Sequence, residues 1–243
     1  MNTTKKKSIS TILGVLAIML ITPFMLMLGG CSSKLNIKEV GTQEALVQAI
    51  ADEKIDEVKL TSDIIIDDTL VISRKVIINL NGKTISNTKD IWVDTETEDK
   101  WSLISVRADA NLTITGNGKL LAKENDCYAL DVVDGGKLTI EDGEFIGNIS
   151  AVYIFEGSAE IKGGKYSIKQ LNTNGVESAY GCTINVYNQN QDANKASVSI
   201  TGGIFANFNP TDKTQNAHDN LVPKGYKAVL VEGSTTDYQV VKA

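Results

Sequence analysis

The chemistry open to this chain starts from a short inventory. The acidic run Asp94-Thr-Glu-Thr-Glu-Asp99 offers oxygen donors of the kind Ca²⁺ takes, at Asp94, Glu96, Glu98 and Asp99. It lacks the glycine and the fixed spacing of a known Ca²⁺ loop. A solvated loop is therefore the competing reading, and no metal ligand is assigned. Trp92, Trp101, Tyr153, Tyr180 and Tyr187 are a second resource. Exposed together, they could stack on sugar rings or seat a protein, since aromatic side chains are enriched where partners meet. The competing reading is that they cover a flank of the fold. The one histidine, His218, stands in a polar stretch, and no catalytic residue is assigned. No P-loop, G-x-S-x-G, H-E-x-x-H or C-x-x-C pattern occurs, so phosphate cradling, activated-serine, zinc and dithiol chemistry have no motif here.

What positions these residues is a repeat. Between Tyr128 and Tyr166 the chain says nearly the same thing twice. Ala129–Val133, an Asp-Gly-Gly turn, Lys137–Ile140 and Glu141–Phe145 are followed by Ala151–Phe155, Glu156–Ser158, Ala159–Ile161 and Lys162–Tyr166. Each copy is a set of short alternating runs parted by Gly and Asp. A unit of about 20–25 residues that cannot cover its own apolar face is the mark of a stacked repeat. The same unit, less cleanly, starts at Leu70, Leu103 and Cys182, and a last one spans Ala228–Val241.

Aligning the turn glycines predicts the inward side chains. The first strand contributes Ile104/Val106, Leu130/Val132, Val152/Ile154, Ile184/Val186 and Ala228/Leu230. The second contributes Val76/Ile78, Leu112/Ile114, Leu138/Ile140, Ala159/Ile161 and Val198/Ile200. The third contributes Thr84, Leu120, Phe145, Tyr166 and Phe205. Like residues at stacked positions suit parallel, in-register strands. Glycines 82, 118, 143, 164 and 203 mark a corner that needs positive φ or close backbone approach. An antiparallel sandwich also has short strands and regular turns. The three-strand period and the single phase of the corners count against it. Thr42, with Glu44 in the first turn and Leu46, Ala49 and Ile50 on one face, predicts a short helix over about 42–53 that caps the first coil. Loops at Asn87–Lys100, Ala122–Asp126 and Ser167–Gly181 leave from one phase, which marks a working side.

The start of the chain has its own signature. Lys5, Lys6 and Lys7 precede an uncharged apolar run from Ile9 to Leu28, then Leu28-Gly29-Gly30-Cys31. This resembles a bacterial lipobox. The resemblance implies that residues 1–30 are a signal peptide, that Cys31 carries a lipid, and that residues 31–40 are a tether; an uncleaved membrane span is the competing reading. Without residues 1–30 the chain keeps 21 of its 24 Lys+Arg against 30 Asp+Glu, a balance near −9. That excludes the basic stripe nucleic acid needs. Lysine far outnumbers arginine, which occurs only at Arg74 and Arg107, and lysine commonly guards exposed strand edges. Cys127 and Cys182 fall two coils apart, roughly 9–10 Å, beyond disulfide reach.

Residues 40–243 resemble the right-handed parallel β-helix class, the pectate-lyase-like superfamily in the wide sense, and in particular adhesin-like surface proteins of Gram-positive and gut bacteria. The residues that carry the likeness are Asp63-Ile64, Leu80–Ile85, the Ile161–Tyr166 and Ile200–Phe205 turns, and Gly225-Tyr-Lys227 with Tyr238-Gln-Val240. The resemblance implies an all-β solenoid of about six coils over residues 41–243, lipid-anchored outside the cell, monomeric, offering its loop side to a glycan or protein. Candidate ligand-binding residues are Trp92, Trp101, Asp131, Tyr153, Tyr180 and Tyr187. Polygalacturonase-type hydrolases of the class carry paired Asp, Gly-His-Gly and Arg-x-Lys, absent here. A Ca²⁺-dependent polysaccharide lyase would use Asp131, Asp134 and Arg107. Against that, Asp131 reads as an exposed strand residue and Asp134 as a turn residue. A purely structural envelope or phage-derived element is the third possibility.

Overall fold

Short alternating runs become strands because one face of each can be buried while the other stays polar. A computed structural model describes residues 34–95, 99–123, 127–170, 172–173, 176–177, 182–187, 196–213 and 220–243. The unit treated below is Leu35–Ala243. It is mostly β-strand with one helix, and its three large sheets are built chiefly of parallel strands.

Sheet A holds seven strands in the order Ile37–Val40, Glu57–Leu60, Lys75–Asn79, Asn111–Thr115, Gly136–Ile140, Gly157–Ile161 and Ala196–Ile200. Sheet B runs Ile64–Ile66, Thr84–Asn87, Lys119–Leu121, Glu144–Gly147, Lys165–Ile168 and Ile204–Phe205, then Tyr238–Lys242 and Tyr226–Leu230. Sheet C holds Leu70–Ile72, Ser102–Val106, Tyr128–Val132, Val152–Ile154 and Ile184–Val186. From Leu70 to Phe205 the chain passes from C to A to B five times in succession. Every large-sheet pairing is parallel except those of the two C-terminal strands.

The register carries like onto like. In sheet C, Leu70, Ile104, Leu130, Val152 and Ile184 form one rung series, and Ile72, Val106, Val132, Ile154 and Val186 another. In sheet A, Val76, Leu112, Leu138, Ala159 and Val198 align, as do Ile78, Ile114, Ile140, Ile161 and Ile200. One buried cluster joins residues from all three sheets, so they share a core. Sheet B supplies its largest side chains: Phe145 and Tyr166 stack at 5.1 Å and Tyr166 and Phe205 at 4.9 Å, all fully buried. Each such pair is worth about 0.5–1.5 kcal/mol beyond area burial. The Tyr166 hydroxyl donates to Gly163 O at 2.6 Å, which satisfies the one polar atom of the stack.

The helix spans Gln43–Ala51, with Thr42 as N-cap accepting from Ala45 N, and buries Leu46, Ala49 and Ile50. Arg74 closes its other end, donating to the carbonyls of Ala49, Ile50 and Ile55. Among the described residues no helix is long and apolar enough to cross a membrane.

Three expectations need correction. Ile37–Val40, read as tether, is a strand of sheet A, parallel to Glu57–Leu60; four residues are too few for alternation to declare itself. Thr84 is not the inward residue of its strand; Ile85 is, fully buried and opposite Leu120. The slip comes from matching Gly82 with Gly118, whereas the register sets Gly118 opposite Lys83. Asn81 (φ 49°) and Gly82 (φ 73°) form a left-handed turn one residue earlier. The last repeat is not another parallel coil. Tyr226–Leu230 and Tyr238–Lys242 pair antiparallel, and Leu230 is 48% exposed where burial was expected.

Gly118 has no unusual φ; close approach explains it. A Cβ there would sit 2.2 Å from Lys83 O and 2.5 Å from Leu80 Cβ. Gly118→Ala should therefore cost about 3 kcal/mol or more, since a backbone atom must move. Gly233→Ala, at φ 80° with nothing within 4 Å, should cost only about 1–2 kcal/mol. Urea unfolding of both variants checks this; equal losses would contradict the close-approach account.

Candidate functional site

Outward positions of sheet C alternate with the core rungs, and one column reads Val71, Ser105, Asp131, Tyr153, Asn185. A solvated face would leave these open. Here Ser105 and Asp131 are fully buried and Tyr153 nearly so. The cover is aromatic. Trp92, Trp101, Tyr128, Tyr153, Phe155 and Tyr187 form one connected set of ring contacts. Centroid distances run from 4.6 Å for Phe155–Tyr187 to 6.5 Å for Trp92–Trp101. Most contacts are tilted or edge-to-face, the arrangement ring quadrupoles favour. Tyr128, Tyr153 and Ile149 are the buried base of this cluster; Trp92, Trp101, Phe155 and Tyr187 are only half-buried.

The two tryptophans arrive on the 88–101 insertion. Its Val93–Asp94 and Asp99–Lys100 segments pair antiparallel, with Trp92 and Trp101 directly outside that pairing. Polar ties hold the insertion to the sheets: Lys100 to Asp68 at 2.8 Å, Lys123 to Asp90 at 2.6 Å, Lys89 to Asp67 at 3.2 Å. Such exposed pairs contribute about 0–1 kcal/mol each. The buried Asn87 adds more direct anchorage, donating to Lys89 O and accepting from Lys123 N.

Under the rings lies a polar network. Ser105 Oγ donates to Asp131 Oδ1, and Ser102 Oγ stands 2.7 Å from Asp131 Oδ2. Arg107 Nε donates to Ser105 Oγ at 2.7 Å. A buried carboxylate is tolerable only when its oxygens are hydrogen-bonded in this way. Asp131 is thus not the exposed strand residue its alternation suggested; it is fully buried, bonded to Ser102 and Ser105 and level with Tyr153 of the next rung. Burial pushes the Tyr153 phenol above its ordinary range, and the nearby Tyr187 and Asp131 push the same way.

Of the residues singled out from the sequence, Trp92, Trp101, Tyr153 and Tyr187 meet in one cluster, with Asp131 beneath it. Tyr180, Glu96, Glu98, His218 and Cys31 lie outside the described residues, as do the side chains of Asp94 and Asp99. Asp134 is an exposed turn residue at φ 50°, so it does not share the enclosure of Asp131. Among the described residues no group of three or more His, Cys, Asp or Glu could hold a metal ion. Cys127 and Cys182 are not joined in a disulfide, and burial pushes each thiol up to about 12; the charge of Asp131 adds to the effect at Cys127, and a backbone hydrogen bond with Ile184 opposes it at Cys182. Tyr128 and Phe155 join the cluster without having been singled out. Tyr128 sits on the rung of Ser102, and Phe155 follows the strand Val152–Ile154 in the outward phase of Tyr153, so the alternation that singles out Tyr153 reaches Phe155 but not Tyr128.

A groove of about 410 Å³ lies elsewhere, between the helix and Leu70–Ile72, lined by Val47, Ile50, Thr69 and Val71 among others. Arg74 on its wall is already engaged by helix carbonyls. The aromatic cluster is the richer surface.

No family model matches the chain, and no curated protein or solved structure matches it.

Removing the carboxylate while leaving its partners buried should be costly. Asp131→Ala is expected to lower stability by about 3 kcal/mol. Asp134→Ala, in the exposed turn, should cost under about 1 kcal/mol. Chemical denaturation of the two variants gives the comparison, and an Asp131→Ala protein as stable as Asp134→Ala would remove the network from the account.

Proposed function

We propose that this chain is a lipid-anchored surface protein that binds a neutral glycan through the aromatic side of sheet C. The observation that carries the reading is the connected six-ring cluster, with Trp92, Trp101, Phe155 and Tyr187 half-buried above an Asp131 held by Ser102 and Ser105. A flat ring with a polar edge suits a ligand that is apolar on its faces and hydroxylated at its rim, and Tyr and Trp combine both characters. The formal charge of −6, and a buried Asp131 beneath the rings, disfavour an anionic polysaccharide. The same charge weighs against the lyase alternative, whose substrates are uronates, and so does the separation of Asp134 from the enclosure of Asp131.

The scaffold reading that accompanies this is a right-handed parallel β-helix. Its support is the fivefold C-to-A-to-B succession with parallel register and one shared core. The hand follows from the strong preference of parallel crossovers for right-handed connection. In such a scaffold the interior strands are paired on both sides, so loops can change without disturbing the core. Cys31 would tie it to the outer face of the membrane through acyl chains, two being needed for stable attachment.

Three experiments test these statements. Full-length protein, held in a detergent without a sugar head group, should bind neutral oligosaccharides on a printed array. Trp92→Ala and Tyr187→Ala should each weaken that binding about tenfold or more, with little change in melting temperature. A blank array would overturn glycan binding, and a crystal structure of the same preparation would give the hand of the winding. Cys31→Ser should abolish incorporation of labelled palmitate and release the protein from the membrane fraction; a variant that stays labelled would overturn the anchor.

A further inference from the structure

Buried polar side chains in a finished fold nearly always have partners, because an unmade hydrogen bond costs about 1–3 kcal/mol. Among the described residues, two buried side-chain atoms have none: Trp101 Nε1 and Ser150 Oγ. They are not scattered. Trp101 O accepts from Tyr128 N, and Ser150 O accepts from Ala129 N. The two residues therefore stand on either side of one strand entrance, at Tyr128–Ala129. Tyr128 itself contacts Trp92 and Tyr153, and Ile149, beside Ser150, packs in the same cluster. The unpaired indole donor belongs to the aromatic cluster itself, and the unpaired hydroxyl belongs to the residue after Ile149, a member of that cluster's base.

We infer that this surface selects a sugar unit bearing an acetamido group. The inference rests on the glycan reading above and adds the chemistry that gives it specificity. An orphaned indole N–H calls for an acceptor, and in a dry, aromatic setting an amide carbonyl is a stronger one than a sugar hydroxyl. The amide N–H of the same group is a donor that Ser150 Oγ can accept, and its methyl is an apolar fragment of the kind that Ile149 and Phe155 already pack. A carboxylate would satisfy Trp101 as well, but the buried Asp131 nearby opposes a second negative charge. Neither orphan atom is open to solvent, so admitting the group requires the half-buried rings in contact with Trp101, namely Trp92 and Phe155, to turn aside.

Chitotetraose and cellotetraose share linkage and length and differ in the acetamido group, so they are the probes. By titration calorimetry, full-length protein should bind chitotetraose about tenfold more tightly than cellotetraose. Trp101→3-benzothienylalanine keeps the ring and removes the N–H; it should abolish most of that preference, and Ser150→Ala should reduce it. The chain holds two tryptophans, so its ¹⁵N spectrum offers two indole signals. The Trp101 signal, assigned with Trp92→Phe, should move downfield with chitotetraose and not with cellotetraose. Equal affinity for the two sugars would overturn the inference and leave glycan binding standing. So would binding of neither while other glycans on the array are held. A preference that survives both substitutions, or an unmoved Trp101 signal, would likewise overturn it. No binding to any glycan would remove both readings.

Discussion

Parallel stacking in register is the constraint on which the rest of this fold depends. Each rung must set its backbone about 4.8 Å from the next, so a residue is judged by what lies directly above and below it. That is why like follows like along the inner columns, why Phe145, Tyr166 and Phe205 stack with nearly parallel planes, and why a side chain in place of hydrogen at Gly118 is costly. It also explains how a position outside the core can become enclosed. Once a long connection lies against the outer face of sheet C, every outward residue beneath it must find a partner within its own column.

That enclosure sets the aromatic side of sheet C apart from an ordinary solvated face. The column Ser105–Asp131–Tyr153 alternates outward by the ordinary rule, yet Trp92 and Trp101 close over it from an insertion that begins and ends between other strands. The base is rigid, because Tyr128 and Tyr153 are buried and Asp131 is held by hydroxyls. The upper rings keep exposed surface. A rigid floor with partly open walls lowers the ordering cost that a bound partner would have to meet.

Much of this was legible in the residues, and the misses have physical causes. The three-strand period, the capping helix and the columns of Leu, Ile and Val follow from spacing alone. Four of the rings in the cluster were already singled out, because insertions from one phase bring their flanks together. Asp131 was misjudged since alternation tells inside from outside only relative to the sheet, and says nothing of what a distant loop will cover. Aligning glycines by identity alone points to Thr84 in place of Ile85, because Gly82 serves a left-handed turn and Gly118 a tight contact. Tyr226–Lys242 kept the local pattern of a repeat while reversing direction, and a strand's composition does not reveal its polarity.

That reversal also governs growth. A ladder of parallel rungs has no internal reason to stop, and its last row would template another chain laid down in the same sense. On sheet B the final interior strand, Ile204–Phe205, meets Tyr238–Lys242 running the opposite way. The register that propagates through the fold is broken there, and Ile200 of sheet A finds Leu221 O in place of a further parallel rung. The carboxyl-terminal hairpin thereby gives sheet B an antiparallel edge, on which the parallel register of the preceding rungs is not continued.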